Sequence, residues 1–121
     1  MLLPRRILIV EDNPVNQKVL HYLITGQGFQ AEIAANGVKA LDAFKPDQFV
    51  LIFMDLRMPL MDGFETTREL RKSGCEIPII AITASEQEDD RIKSVDAGMD
   101  GFLTKPFNKL DFDGVLKQWL I

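Results

Sequence analysis

An α/β domain built on a parallel sheet is predicted by two features of the chain and their alternation. Five short runs rich in Ile, Val and Phe read as buried strands: 7–10, 31–34, 49–54, 79–82 and 101–103. Between them lie segments in which apolar residues recur at helical spacing. The order βαβαβαβαβα with short connections implies a parallel sheet with helices on both faces. Ligand sites in such sheets lie beyond the carboxyl ends of the strands, at the point where strand order reverses.

The first helix is announced by Asn13-Pro14, a capping residue followed by proline at the first helical position. Val15, Val19, Leu20 and Leu23 are expected to fall on one face of it. Val38, Leu41 and Phe44 mark the second helix, Phe64 and Leu70 the third, Ile92 and Val95 the fourth, and Val115, Leu116 and Trp119 the last. Asp62 with Glu65, and Ser85 with Glu88, have capping-box spacing. Gly28, Gly74 and Gly98 fall where helices should stop.

The 121 residues fit a single domain spanning 1–121, and an apolar content of 46% with 26% charged residues argues against disorder. The formal charge of −4 does not suit non-specific nucleic-acid binding, which needs clustered Lys and Arg. One cysteine, Cys75, excludes an internal disulfide framework and reads as a passive loop thiol. No apolar run reaches the ~20 residues of a membrane span. The opening Met1-Leu2-Leu3-Pro4-Arg5-Arg6 lacks the apolar stretch of a signal peptide, so a cytoplasmic protein without membrane contact is expected.

The strand ends carry the chemistry. The first ends in Glu11-Asp12, the third in Asp55, the fourth in Thr83 and the fifth in Lys105-Pro106. A parallel sheet brings these ends to one edge. Two carboxylates ~5 Å apart repel by on the order of 3 kcal/mol at an effective dielectric of ~20, so such a cluster calls for a cation. Oxygen ligands with room for water and phosphate favour Mg²⁺ over Ca²⁺, and the lack of His or Cys argues against zinc. A carboxylate beside Mg²⁺, an ammonium and a hydroxyl has the parts of a phosphoryl acceptor. Asp55 is the expected nucleophile because its strand is the most apolar and hence the most central. Thr83 and Lys105 would meet the phosphoryl oxygens. Taken singly, each residue has a plainer reading, as a turn cap, a strand end or a solvated lysine; together they require four strand ends to agree by accident.

Four stretches then identify a resemblance: Ile9-Val10-Glu11-Asp12-Asn13, 54–63 (Met-Asp-Leu-Arg-Met-Pro-Leu-Met-Asp-Gly), Ala81-Ile82-Thr83-Ala84, and 98–107 (Gly-Met-Asp-Gly-Phe-Leu-Thr-Lys-Pro-Phe). In this order and spacing they resemble the receiver (response-regulator) domain of two-component signalling over essentially the whole chain. Asn13-Pro14-Val15-Asn16-Gln17 looks most like receivers of hybrid histidine kinases.

The resemblance implies a flavodoxin-like (βα)5 three-layer sandwich with strand order 2-1-3-4-5. It implies that Asp55 takes a phosphoryl group from a phosphohistidine, on a histidine kinase or a histidine-phosphotransfer protein. Mg²⁺ would be held by Asp12, Asp55 and the backbone carbonyl of Arg57, with Glu11 acting through water. Thr83 and Phe102 look like the switch pair, although Phe102 has core filling as its alternative reading. Arg57 and Ser85 would tune hydrolysis, and Pro106 would follow a cis bond. The domain would catalyse its own phosphorylation and slow dephosphorylation without being a dedicated turnover enzyme. The family also admits a homodimer through the face of helix 4, strand 5 and helix 5.

Several residues read as ordinary. His21, on the first helix, is far from every strand end. The run 86–91 is expected to be a solvated helix face, and Met54, Met58, Met61 and Met99 to be packing residues. The exposed polar face of Asn16 and Gln17 is expected to meet a phosphotransfer partner. Rival functions lack their residues. A haloacid-dehalogenase-like phosphatase needs a second Asp where Arg57 stands, and a flavodoxin needs a phosphate loop where the anionic Glu11-Asp12 stands. A pseudo-receiver acting only as an interaction module would not need the intact set.

Overall fold

The computed structural model describes residues 5–84 and 87–120. Five strands and five helices alternate: β1 Arg6–Val10, α1 Pro14–Gly26, β2 Gln30–Ala34, α2 Gly37–Ala43, β3 Leu51–Asp55, α3 Gly63–Lys72, β4 Ile79–Thr83, α4 Glu88–Ala97, β5 Gly101–Thr104 and α5 Lys109–Leu120. All strand pairs are parallel and the sheet order is β2-β1-β3-β4-β5, as expected. The order reverses between β1 and β3, which sets the switch point there.

Two apolar layers follow from the alternation of side chains along each strand. Leu8, Val10, Ile52, Met54, Ile79 and Ala81 pack with Ala40, Phe64, Leu70 and Ala97 from α2, α3 and α4. Ile7, Ile9, Leu51, Phe53, Ile80 and Ile82 pack with Leu20 and Ile24 of α1 and Phe112 and Leu116 of α5. β3 is buried at every position, which suits the central strand of a sheet covered on both faces. Phe49 is also buried but precedes the strand, which begins two residues later than the apolar run and extends through Asp55.

The helix ends follow local chemistry. Asn13 Oδ1 accepts from the backbone N–H groups of Val15 and Asn16, and Asp62 Oδ1 accepts from Glu65 N–H. Gly28, Gly74 and Gly98 all adopt positive φ, with Gly98 as the left-handed C-cap of α4. Two caps went unread in the sequence. Asn36 caps α2 through Lys39 N–H, and Asn108 and Asp111 exchange side-chain and backbone bonds to open α5. Gln87 is the N-cap of α4, and Ser85, expected to form a capping box with Glu88, lies outside the described residues.

Three helical faces differ from expectation. On α1 the buried residues are Leu20 and Ile24, while Val15, Val19 and Tyr22 form an exposed stripe. On α2 Gly37 and Ala40 face inward and Val38 is exposed. On α4 Asp90, Ser94 and Ala97 are buried, whereas Ile92 and Val95 point to solvent. The inward stripe of α4 is polar because Asp90 has a cationic partner below it, described next. Cys75 lies in the connection between α3 and β4, as expected, with its thiol buried against the core, and burial pushes its pKa up, away from the reactive thiolate. No helix among the described residues is long and apolar enough to cross a membrane.

Candidate functional site

The register of the sheet assembles the site. Val10 pairs with Met54, so the next residues, Glu11 and Asp55, lie side by side at the ends of β1 and β3. Both continue the side of the sheet that carries Ile9 and Phe53, by the period of two. Thr83 closes β4, and its carbonyl accepts from Lys105 N–H at 2.7 Å, which brings the end of β5 alongside. The Lys105–Pro106 bond is cis, as expected.

Carboxylate oxygens of Glu11, Asp12 and Asp55 all lie within 4.8 Å of one another. Glu11 is fully buried and Asp55 nearly so, while Asp12 is exposed. Lys105 Nζ is 2.9 Å from Glu11 Oε1 and 3.8 Å from Asp55 Oδ1. These residues line one cleft of about 240 Å³ with Asn13, Asn16, Arg57, Thr83 and Ala84. The structure therefore brings together Glu11, Asp12, Asp55, Thr83 and Lys105, read from the strand ends, and Arg57, which the resemblance implied. An all-oxygen donor set that includes two buried carboxylates fits a hard divalent cation.

Electrostatics divides the two buried acids. Burial pushes the Asp55 pKa up, the neighbouring Glu11 adds to this, and Lys105 opposes it; the result is about 8. Burial acts on Glu11 in the same direction but is outweighed by hydrogen bonds from Asp55 and Lys105, so its pKa falls. One proton is thus held between the pair, on Asp55, at neutral pH and without a cation.

A pH dependence follows. Folded Asp55 keeps its proton up to about pH 8, whereas an unfolded aspartate loses it near 4, so the native state binds more protons between those values. The contribution of Asp55 to stability is full below about pH 4 and is lost as pH rises toward 8. Melting temperature in chelator should accordingly carry a downward slope across that window, and Asp55→Asn should flatten it. An equal slope in the variant would contradict the assignment.

Other side chains tie the site to the helices. Gln17 Nε2 donates to the Glu11 carbonyl at 2.7 Å, and both Asn16 and Gln17 are half-buried. They are less exposed than expected: Gln17 fastens α1 to the end of β1, and Asn16 lines the cleft. Arg57 N–H donates to Asp55 Oδ1 at 3.2 Å, and its guanidinium reaches Asp90 Oδ1 on α4 at 2.6 Å. Asp90 is therefore a buried ion-pair partner and not part of a solvated face, although Glu88, Asp89 and Arg91 are exposed. Phe102 is half-buried beneath Arg91, whose Cζ lies 4.5 Å from the ring centroid. His21 is exposed on α1, away from the cleft, and Met54 and Met99 are core residues. Ser85, expected to tune hydrolysis, lies outside the described residues.

A doubly wound sheet that gathers three acids, a lysine and a threonine at the carboxyl edge of its strands defines an α/β domain with an acidic cleft whose oxygen donors suit a divalent cation. The sequence pattern of the response regulator receiver domain matches residues 7–117, and the chain belongs to that family. Acceptance of a phosphoryl group in two-component signalling is the general role of the family. The chain is 37% identical over 116 residues to hybrid signal transduction histidine kinase I of Dictyostelium discoideum, covering 88% of this chain and 7% of that protein. It is 36% identical over 105 residues to response regulator MprA of Mycobacterium sp. (strain KMS), covering 87% and 46%. It thus spans less than half the length of these curated relatives.

Among solved structures, the receiver domain of sensor histidine kinase PA1611 from Pseudomonas aeruginosa PAO1 superposes with a TM-score of 0.86 at 37% identity, covering 96% of this chain and 97% of that one. That structure has a magnesium ion coordinated in its active-site cleft. Chemotaxis protein CheY4 of Vibrio cholerae gives a TM-score of 0.91 at 27% identity, covering 97% and 99%.

Proposed function

We propose that residues 1–121 form a single receiver domain in which Asp55 accepts a phosphoryl group from a phosphohistidine partner. The observation that carries this reading is the convergence of Glu11, Asp12 and Asp55 within 4.8 Å beside the ammonium of Lys105. An Asp55 carboxylate oxygen attacks phosphorus; the new O–P bond forms as the P–N bond to the donor imidazole breaks, and the imidazole nitrogen keeps the electron pair and takes a proton. Asp55 must first give up the proton it shares with Glu11. Bound Mg²⁺, held by Asp12, Asp55 and the Arg57 carbonyl with Glu11 acting through water, would offset the negative charge of the carboxylates and the phosphoryl oxygens. Lys105, now paired with Glu11, would turn to one phosphoryl oxygen, and the Thr83 hydroxyl would donate to another.

The domain is in this reading a substrate that catalyses its own modification and slowly hydrolyses it, with Arg57 and Ser85 tuning the lifetime. The donor, a histidine kinase or histidine-phosphotransfer protein, docks on the exposed Val15, Val19 and Tyr22 of α1, the helix whose first turn brings Asn16 to the cleft. Thr83, drawn toward the phosphate, and Phe102 relay the change to the face of α4, β5 and α5, where Ile92, Val95 and Leu110 are exposed. A second copy docking on that face would make the homodimer that the resemblance admits. We place the domain in the cytoplasm, free of direct contact with nucleic acid or membrane, on the grounds of its acidic balance and its donor.

Incubation with Mg²⁺ and acetyl phosphate tests the acceptor. The intact mass should rise by one phosphoryl group, chelator should prevent the gain, and Asp55→Asn should show none. A gain of the same size in Asp55→Asn would sink the reading.

A further inference from the structure

The Arg57–Asp90 pair is unusual for where its two charges lie. The Asp90 side chain is only 3% exposed, while Arg57 is 61% exposed. The carboxylate reaches inward from the first turn of α4, where an acid is welcome at the helix N-terminus but would be satisfied equally well in solvent. Its second oxygen, Oδ2, is buried with no hydrogen-bond partner. Among the described residues Arg57 is the counter-charge of this buried carboxylate, so the charge is poised: its compensation depends on one exposed cation. Arg57 is itself a residue of the acid cleft, and its backbone N–H already meets Asp55. The next residue of α4, Arg91, covers Phe102. One helical turn therefore holds both the guanidinium from the site and the lid over the β5 aromatic.

We propose that Asp90 and a phosphoryl group on Asp55 compete for the Arg57 guanidinium, so that the first turn of α4 is a latch opened by charge. The inference rests on Asp55 being the acceptor. A phosphoryl group brings about two negative charges and a set of oxygens suited to a guanidinium fork, against the single charge of Asp90. Once Arg57 turns to it, Asp90 is left buried without a counter-ion, and the favourable course is for the carboxylate to leave for solvent. That movement swings the first turn of α4 and lifts Arg91 from Phe102. Asp90 is a positioning residue here: it touches no reacting atom and acts through Arg57. By linkage, a phosphoryl group that weakens the Arg57–Asp90 contact must itself bind more tightly once that contact is removed.

The test uses the whole chain with Mg²⁺ and beryllium fluoride, which stands in for the phosphoryl group at an aspartate. Two readouts are taken: the midpoint of beryllium fluoride binding by titration calorimetry, and amide hydrogen exchange across residues 88–91. Asp90→Asn, nearly isosteric, should bind about fivefold or more tightly than the parent, the lower end of ordinary allosteric couplings. The gain should vanish when Asp90→Asn is combined with Arg57→Gln. Exchange across 88–91 should quicken on loading in the parent, and should already be fast in unloaded Arg57→Gln, a readout that stands if Asp90→Asn folds poorly. An unchanged midpoint in Asp90→Asn, a gain that persists without Arg57, or exchange across 88–91 indifferent to loading would each overturn the latch. A parent that binds no beryllium fluoride would instead overturn the acceptor reading, and the latch with it.

Discussion

Gly63→Ala should destabilise the protein by about 3 kcal/mol or more and pull the acid cluster apart. A Cβ at this position would overlap the Asp55 carbonyl oxygen and sit 2.9 Å from Leu56 Cα. These are backbone atoms of the central strand and its exit, so no side-chain rotation relieves the overlap. Gly63 N–H also donates to the Leu56 carbonyl at 3.0 Å, which holds the start of α3 against the end of β3. Either α3 withdraws or Asp55 shifts, and both alter the site. Chemical denaturation reads the stability loss, and phosphoryl uptake of the variant, assayed where it is still folded, reads the displaced acid. A variant as stable and as reactive as the parent would mean that α3 does not press on the site as described.

Lys105→Ala should lower the rate of phosphoryl uptake by on the order of 10²- to 10³-fold, the usual cost of removing one donor aimed at developing phosphoryl or oxyanion charge. A second effect distinguishes this residue from a bystander. Lys105 is the ammonium that holds fully buried Glu11 in its charged form, at 2.9 Å. Without it Glu11 keeps its burial and loses a counter-charge, so its pKa should rise and the protein should weaken. The lowered pKa of Glu11 contributes stability that is present above the unfolded value and lost on acidification; removal of Lys105 erases part of that contribution. The rate of mass gain from acetyl phosphate and the pH dependence of melting check the two effects separately. An uptake rate within about threefold of the parent would show that the lysine contributes little to this charge stabilisation.

Most of the architecture was legible because it depends on period and punctuation. Strand runs, glycine stops and the caps at Asn13 and Asp62 are local signals, and parallel alternation then carries Glu11, Asp55, Thr83 and Lys105 to one edge. The errors share a cause. Helical spacing identifies which residues lie on one face but not which face is inside. On α1, Val15 and Val19 lie on the outer stripe with Tyr22, while Leu20 and Ile24 point inward. On α4 the apolar pair Ile92 and Val95 looked like the core face, yet Asp90 and Ser94 are buried because Arg57 supplies a charge and the Asp90 carbonyl accepts from the Ser94 hydroxyl. Partners chosen across 33 residues, as in Arg57–Asp90, leave no trace in local pattern. Nor does the bond from Gln17 to the Glu11 carbonyl, which half-buries a residue read as exposed.

The claim on which the rest depends is that Asp55 carries the phosphoryl group. Acyl phosphates are reduced by borohydride to the alcohol, so treatment of the phosphorylated chain followed by peptide mass mapping locates the modified carbonyl directly. A homoserine residue is expected at position 55, formed only after exposure to Mg²⁺ and phosphodonor. Reduction at Glu11 or Asp12 with position 55 untouched, or a phosphoryl group recovered on His21, would contradict it.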